Sequence, residues 1–252
     1  MSARVLITRA AGTWLRLEAR FEPLPVRLQW DATTAQVPPL DKARGEAALA
    51  RVHDYDWLVV TSARGVDALG DRKLPAHLRV AAVGPATAEA IASKTTQATI
   101  VAEQPHSKGL ADTLAPLLDP GARVLIVIPE GSTRTLASAL RKHGAAVDEA
   151  PLYRTVASAR AAALADQAIE GDFAAVLFTA PSALTLWLES ASDRRASLSA
   201  ALAAVARVAI GPTTEAALRS AGLPAAQVAA APTQEAIGDA IERALRSINL
   251  LP

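Results

Sequence analysis

Two turns in this sequence carry residue types that bind anions. Residues 80–91 read VAAVGPATAEAI and residues 207–218 read RVAIGPTTEAAL. In both, a short apolar run ends at Gly-Pro, and a threonine follows within the first helical turn. Free backbone N–H groups at such helix starts bind carboxylates or phosphates, and glycine lets a ligand approach the backbone. The candidate binding residues of these turns are Gly84, Thr87, Gly211, Thr213 and Thr214.

Each Gly-Pro turn is preceded by a second strand-end turn. Residues 56–69 read DWLVVTSARGVDAL and residues 173–186 read FAAVLFTAPSALTL. An arginine beside a helix start is unfavourable unless an anion lies there, whereas a serine in this place also serves as an ordinary helix cap. Each turn taken alone fits a purely structural role, but the repetition favours a binding function. The candidates here are Thr61, Ser62, Arg64, Thr179 and Ser182.

Tyr153 is one of two tyrosines in the chain and lies in a short extended segment, 150–156. Two interpretations stay open: the ring packs between structural elements, or the hydroxyl points into a site as a proton donor. The chemistry of the residue alone favours packing.

Short apolar runs alternate with longer amphipathic segments along the chain. The continuous runs are typical of strands buried on both faces of a parallel sheet. Segments 134–143 and 235–246 have the spacing of amphipathic helices. The alternation predicts a doubly wound α/β fold. The predicted strands are Val5–Thr8, Trp57–Thr61, Val80–Val83, Val124–Ile128, Ala174–Phe178 and Val208–Ile210.

The repeat predicts two α/β domains with a cyclically displaced order. VLITRA at residues 5–10 resembles VLIVIP at 124–129, so the N-terminal strand completes the second copy. We expect residues 1–30 and 157–252 to form one discontinuous domain and residues 41–149 to form an inserted domain. Residues 31–40 and 150–156 would be the linker strands between them.

Composition and missing motifs exclude several functions. The net charge of +1 gives no general reason to expect nucleic acid or an anionic membrane. The chain has no cysteine, its four histidines are scattered, and it lacks the Gly-x-Gly-x-x-Gly and Gly-Lys-Ser/Thr phosphate loops. No signal peptide or membrane span is apparent. We therefore expect a cytoplasmic, monomeric globular protein without a metal site.

The ordered set of motifs resembles the uroporphyrinogen-III synthase family over essentially the whole chain. The motifs are VLITR, WLVVTSARGVDAL, VAAVGPATAEAI, VLIVIPEGSTRTLASALRKHGAAVDEAPLYRT, VLFTAPSAL and VARVAIGPTTEAAL. The resemblance implies two flavodoxin-like domains joined by a two-stranded linker, with the active site in the cleft between them. It also implies a cofactor-free reaction that closes hydroxymethylbilane, a linear tetrapyrrole, with loss of water and inversion of ring D.

The resemblance also implies roles for individual residues. Tyr153 matches the family tyrosine that assists departure of the hydroxyl group, and Arg9, Arg64 and Arg154 are candidates to neutralise substrate carboxylates. Because Ala180 stands where the first copy has Ser62, the two halves are not expected to bind alike.

Three alternatives stay open from the sequence. The first is a non-catalytic two-lobed protein that binds an anionic ligand. The second is a sugar-phosphate or nucleotide enzyme that uses the same helix starts. The third is a relative of the synthases that regulates without catalysing. The missing phosphate loops disfavour the second of these.

Overall fold

The structure is a computed structural model that describes residues 2–12, 14–94, 99–104, 106–132 and 134–251. The chain divides into two compact units, the first formed by Met1–Ala35 with Val156–Pro252 and the second by Gln36–Thr155. Within the described ranges, no helix has the length and apolar character needed to cross a membrane.

The first unit is built on a five-stranded parallel sheet with the order β11-β10-β9-β1-β2. Its strands are β1 (Ala3–Ile7), β2 (Val26–Trp30), β9 (Ala175–Phe178), β10 (Ala206–Ala209) and β11 (Gln227–Val228). Its helices are α1 (Leu15–Phe21), α7 (Ala161–Ile169), α8 (Pro181–Ser190), α9 (Arg195–Ala204), α10 (Pro212–Ser220) and α11 (Gln234–Arg246).

Successive residues of the central strands in this unit belong to different hydrophobic cores. Val5 and Ile7 pack with α1 and α11, whereas Leu6 packs with α7, α8, α9 and α10. All three side chains are fully buried. Because neighbouring side chains on a strand point to opposite faces, a strand covered by helices on both sides must be apolar at every position.

The second unit is built on a six-stranded sheet with the order β3-β8-β7-β4-β5-β6. Its strands are β3 (Thr34–Val37), β4 (Trp57–Val60), β5 (Arg79–Ala82), β6 (Thr99–Val101), β7 (Arg123–Pro129) and β8 (Ala146–Ala157). Its helices are α2 (Lys42–Ala50), α3 (Ala63–Ala68), α4 (Pro85–Ala92), α5 (Ser107–Leu114) and α6 (Thr135–Lys142).

The two sheets share one spatial order once the cyclic displacement is taken into account. The order β11-β10-β9-β1-β2 in the first unit corresponds to β6-β5-β4-β7-β8 in the second. In this comparison β1 corresponds to β7, as the sequence repeat predicts. The predicted fold class, two α/β units with parallel sheets, is confirmed.

Several element bounds differ from the sequence predictions. The extended segment predicted at residues 150–156 belongs to the longer strand β8, which begins at Ala146 because it pairs with β7 from Arg123 onward. The predicted linker strand 31–40 contains the shorter strand β3. The strands β2, β6 and β11 were not predicted, because they are short and each keeps partly exposed residues. The strand predicted at Val208–Ile210 begins at Ala206 and ends at Ala209.

Candidate functional site

In each unit the order of strand addition reverses at one place in the sheet. The reversal lies between β1 and β9 in the first unit and between β4 and β7 in the second. Ligands of open α/β sheets bind at such switch points, beyond the carboxyl ends of the strands. The second strand-end turns predicted from the sequence follow β4 and β9, so they lie at these switch points.

At each switch point, a threonine at the end of one strand donates a hydrogen bond to a carbonyl at the end of the neighbouring strand. Thr61 Oγ1 donates to the carbonyl of Val127 at 3.2 Å, and Thr179 Oγ1 donates to the carbonyl of Thr8 at 3.2 Å. A hydroxyl has one proton to donate. Thr61 and Thr179 therefore connect neighbouring strands, and a ligand would find them as acceptors only.

The Gly-Pro turns form the starts of α4 and α10. Gly84 and Gly211 are the N-cap residues, with φ angles of −177° and 179°. Thr87 and Thr214, at equivalent places one turn into these helices, are buried, whereas Thr213 is exposed. Since an extended φ suits any residue, the conformation itself does not require glycine at either cap.

Tyr153, Ser62 and Arg64 come together in the second unit. The phenolic oxygen of Tyr153 lies 2.7 Å from Ser62 Oγ, and the tyrosine is 6% exposed. Ser62 is also the N-cap of α3, where its Oγ accepts a hydrogen bond from Gly65 N–H at 3.0 Å. Tyr153 is thus both buried and hydrogen-bonded, so the packing and the polar interpretation each describe part of it.

Burial raises the pKa of Tyr153 above its ordinary value. The hydrogen bond to Ser62 and the positive charge of Arg64 act in the opposite direction, because both stabilise the phenolate. The direction that prevails is upward, so the phenol keeps its proton at neutral pH and can donate a hydrogen bond.

The strand β3 holds the Arg64 side chain. With the Gln36 amide oriented to satisfy both partners, its oxygen accepts from Arg64 Nη1 at 2.9 Å and from Nε at 3.2 Å. Two bonds from one guanidinium to one oxygen fix the plane of the arginine head. A guanidinium has five N–H donors, and the two bonds to Gln36 use two of them.

A cavity of about 380 Å³ lies beside this group, within the second unit. Its wall combines apolar side chains with two cations and two carboxylates, the mixture of apolar surface and a few polar groups that is typical of ligand pockets. The cavity is lined by Gln36, Val37, Pro38, Pro39, Lys42, Glu46, Arg64, Asp67, Ala68, Pro151, Leu152 and Tyr153.

The remaining candidates lie outside this group. In the second unit, Arg154 Nε donates to the carbonyl of Pro38 at 3.3 Å, on the strand position after Tyr153. In the first unit, the Arg9 guanidinium carbon lies 4.5 Å from the centroid of the Trp14 ring, a cation–π contact. Ser182 lies in the first turn of α8 and is partly exposed.

Gln36 and Lys42 are contributors that the sequence analysis missed. Gln36 lies in the segment that was predicted as a linker strand, and the structure places the strand β3 of this segment in the sheet. Lys42 begins α2 directly after the N-cap Asp41. An aspartate cap followed by a helical segment was the available signal for α2, but nothing local shows that this helix lines a cavity.

Comparisons with known proteins give a consistent result. Residues 32–239 match the model of the family described as uroporphyrinogen-III synthase HemD. A protein of Methanothermobacter thermautotrophicus, provisionally assigned as a uroporphyrinogen-III synthase, is 30% identical over 173 residues, 65% of this chain and 68% of that protein. A uroporphyrinogen-III synthase of Synechococcus elongatus is 28% identical over 160 residues, 60% of each chain.

A solved structure shares the fold over nearly the full length. The crystal structure of a mutant uroporphyrinogen III synthase from Thermus thermophilus has a TM-score of 0.67 and 22% sequence identity. The alignment covers 98% of this chain and 100% of that one.

Proposed function

The chain belongs to the uroporphyrinogen-III synthase family of lyase-type cyclising enzymes, and we propose that it converts hydroxymethylbilane to uroporphyrinogen III. In this reaction the linear tetrapyrrole loses water and closes with ring D inverted. The observation that carries the proposal is the Tyr153–Ser62 pair beside Arg64 at the edge of a cavity.

Tyr153 is the proposed donor to the leaving hydroxyl group. The carbon–oxygen bond of the hydroxymethyl group breaks as the phenolic proton passes to the departing oxygen, which leaves as water. The pyrrole ring then loses its N–H proton to the phenolate, which gives a neutral azafulvene and restores the phenol. The raised pKa of Tyr153 supports this role, because the phenol is protonated at neutral pH. A positioned general acid contributes roughly 100- to 10,000-fold in rate.

Arg64 and Lys42 are the proposed partners of substrate carboxylates at the cavity. Both line it, and Gln36 fixes the plane of the arginine head. The apolar part of the wall, which includes Val37 and Leu152, suits the face of a pyrrole ring. Charge-assisted hydrogen bonds to carboxylates are roughly twice as strong as neutral ones.

Other substrate contacts remain proposals drawn from the family resemblance. Gly211 supports one of them, because no atom lies within 4 Å of a Cβ built there and its extended backbone does not require glycine. An open backbone at a helix start is a place where a carboxylate can approach N–H groups closely. The proposed contacts are Arg9, Thr61, Ser62, Arg64, Gly84, Thr87, Arg154, Thr179, Ser182, Gly211, Thr213 and Thr214.

The selectivity of the reaction follows from how the chain is held. We propose that the bound tetrapyrrole is folded so that the substituted carbon of ring D attacks the azafulvene first and forms a spiro intermediate. Uncatalysed closure gives the isomer without inversion. Holding two reacting carbons in a fixed geometry lowers the barrier of a reaction, because the entropy of bringing them together is lost on binding and not in the chemical step.

The test is to supply purified protein with freshly made hydroxymethylbilane and to separate the isomers that form. Uroporphyrinogen III is expected with active protein, and uroporphyrinogen I with heat-denatured protein. If native protein also yields only isomer I, the proposal is wrong, and a non-catalytic protein that binds an anionic ligand becomes the better description.

A further inference from the structure

We propose that Ser62 is a positioning residue for Tyr153: the serine hydroxyl, held by Gly65 N–H, donates to the phenolic oxygen and so directs the phenolic proton toward the cavity. This inference rests on the proposed function, because it assigns the orientation of the proton that Tyr153 donates. It also changes the role of Ser62 from a substrate contact to a group that acts through the tyrosine.

The hydrogen bonds around Ser62 allow two arrangements. The Ser62–Tyr153 contact of 2.7 Å holds one proton, which comes from either hydroxyl. If Tyr153 donates, its proton points at Ser62 and is not available to the substrate. If Ser62 donates, the proton of Tyr153 is free, and Tyr153 lines the cavity.

The backbone favours the second arrangement. Gly65 N–H donates to Ser62 Oγ at 3.0 Å and so occupies one of its two lone pairs. A hydroxyl that accepts from one group becomes a better donor to the next, because the bonds of a chain polarise one another. The hydrogen bonds therefore form a chain in which each group donates to the next: Gly65 N–H to Ser62, Ser62 to Tyr153, and Tyr153 to the leaving oxygen.

A positive charge near the phenol acts on its ionisation. Arg64 of α3 lowers the pKa of Tyr153 by its charge, as does the hydrogen bond from Ser62. From α2, Lys42 and Glu46 line the cavity, and α3 adds Asp67. Arg64 thus stabilises negative charge on the phenolic oxygen as its proton moves to the leaving group.

The internal repeat gives an independent argument that the turn itself does not require a hydroxyl. Ala180 is the N-cap of α8, at the position equivalent to Ser62, and it provides no side-chain cap. The helix that follows is nevertheless ten residues long. Since the same turn forms with alanine in the first unit, the serine of the second unit is available for another role.

The two tyrosines of the chain make the test direct. In a Tyr55→Phe background, Tyr153 is the one remaining phenol, and its ionisation can be followed by the ultraviolet absorbance of tyrosinate against pH. Ser62→Ala should raise the pKa of Tyr153 by about 0.5 to 1 unit, the size of one lost neutral hydrogen bond. Ser62→Thr keeps the hydroxyl and should restore the original value.

Two further variants separate positioning from helix capping. Ser62→Asp caps a helix as well as serine but accepts hydrogen bonds only. It should accept the hydrogen bond of the phenol, which stabilises the protonated form and raises the pKa of Tyr153 further. Thr233→Ala removes a hydroxyl cap of the same kind, which accepts from Ala236 N–H at 3.3 Å in the first unit. It should lower stability and leave the titration of Tyr153 unchanged.

Turnover provides the second readout. A positioning role predicts that Ser62→Ala lowers kcat about tenfold or more with little change in KM, and that Ser62→Thr recovers it. An unchanged pKa of Tyr153, or a raised KM at constant kcat, would overturn the inference. If the unaltered protein makes no uroporphyrinogen III, the proposed function fails, and the titration still shows whether the Ser62 hydroxyl stabilises the ionised phenol of Tyr153.

Discussion

Replacing Tyr153 by phenylalanine removes the proposed acid and leaves the packing almost intact. The ring is 6% exposed and stays in place, so the change deletes one hydroxyl and its 2.7 Å bond to Ser62. Ser62 keeps Gly65 N–H as a partner. We therefore expect a loss of about 1 kcal/mol in the free energy of unfolding, the net value of one hydrogen bond.

The expected loss of activity is much larger than the loss of stability. Removal of a general acid costs roughly 100- to 10,000-fold in rate, which is about 3 to 5 kcal/mol of activation free energy. The assay is kcat with hydroxymethylbilane, together with the ratio of the two uroporphyrinogen isomers. Because the substrate also closes without the enzyme, a slower variant should form a larger share of isomer I.

Tyr55→Phe is the matched control for this experiment. Tyr55 is 1% exposed, belongs to the same unit and donates to Asp148 Oδ2 at 2.7 Å. Its replacement should lower stability by a similar amount and leave kcat unchanged. Equal kcat values for Tyr153→Phe and the unaltered protein would refute the acid role, and equal losses in both variants would assign the effect to stability.

Three further predictions test the packing, the backbone and the titration. Gly45→Ala should lower the free energy of unfolding, measured by urea titration, by about 1–3 kcal/mol, because its Cβ would lie 2.5 Å from the carbonyl oxygen of Pro151; an unchanged urea midpoint contradicts the close approach. Gly211→Ala should change stability by less than about 0.5 kcal/mol, since the added Cβ meets open space, and should raise KM; an unchanged KM removes Gly211 from the proposed contacts. Burial and the bond to Asp148 raise the pKa of Tyr55 from 10.0 to about 12, so the folded state retains a proton that the unfolded chain loses. The stabilisation from Tyr55 is therefore complete below pH 10 and disappears as the pH rises toward 12, and a series of urea midpoints should show a smaller alkaline decline in Tyr55→Phe than in the unaltered protein.

The central strands were predictable because burial on both faces makes them apolar at every position. The segment Trp57–Val60 is buried throughout, and so is Ala175–Phe178. Edge strands such as β6 and β11 were not predicted, since they are exposed on one side and need few apolar residues. The strand β3 lies within the predicted linker strand 31–40, but its place in the sheet beside β8 was not predicted.

The sequence by itself determined the local features of this protein: apolar central strands, the cyclically displaced repeat, and a serine that caps α3. Each depends on residues that are close along the chain. The tertiary structure decided which groups the polar side chains bind by hydrogen bonds. The hydroxyls of Thr61 and Thr179 donate to carbonyls of neighbouring strands, and Tyr153 meets Ser62 across 91 positions of sequence. Such partners follow from the order of strands in a sheet, and no residue type or local spacing contains that order.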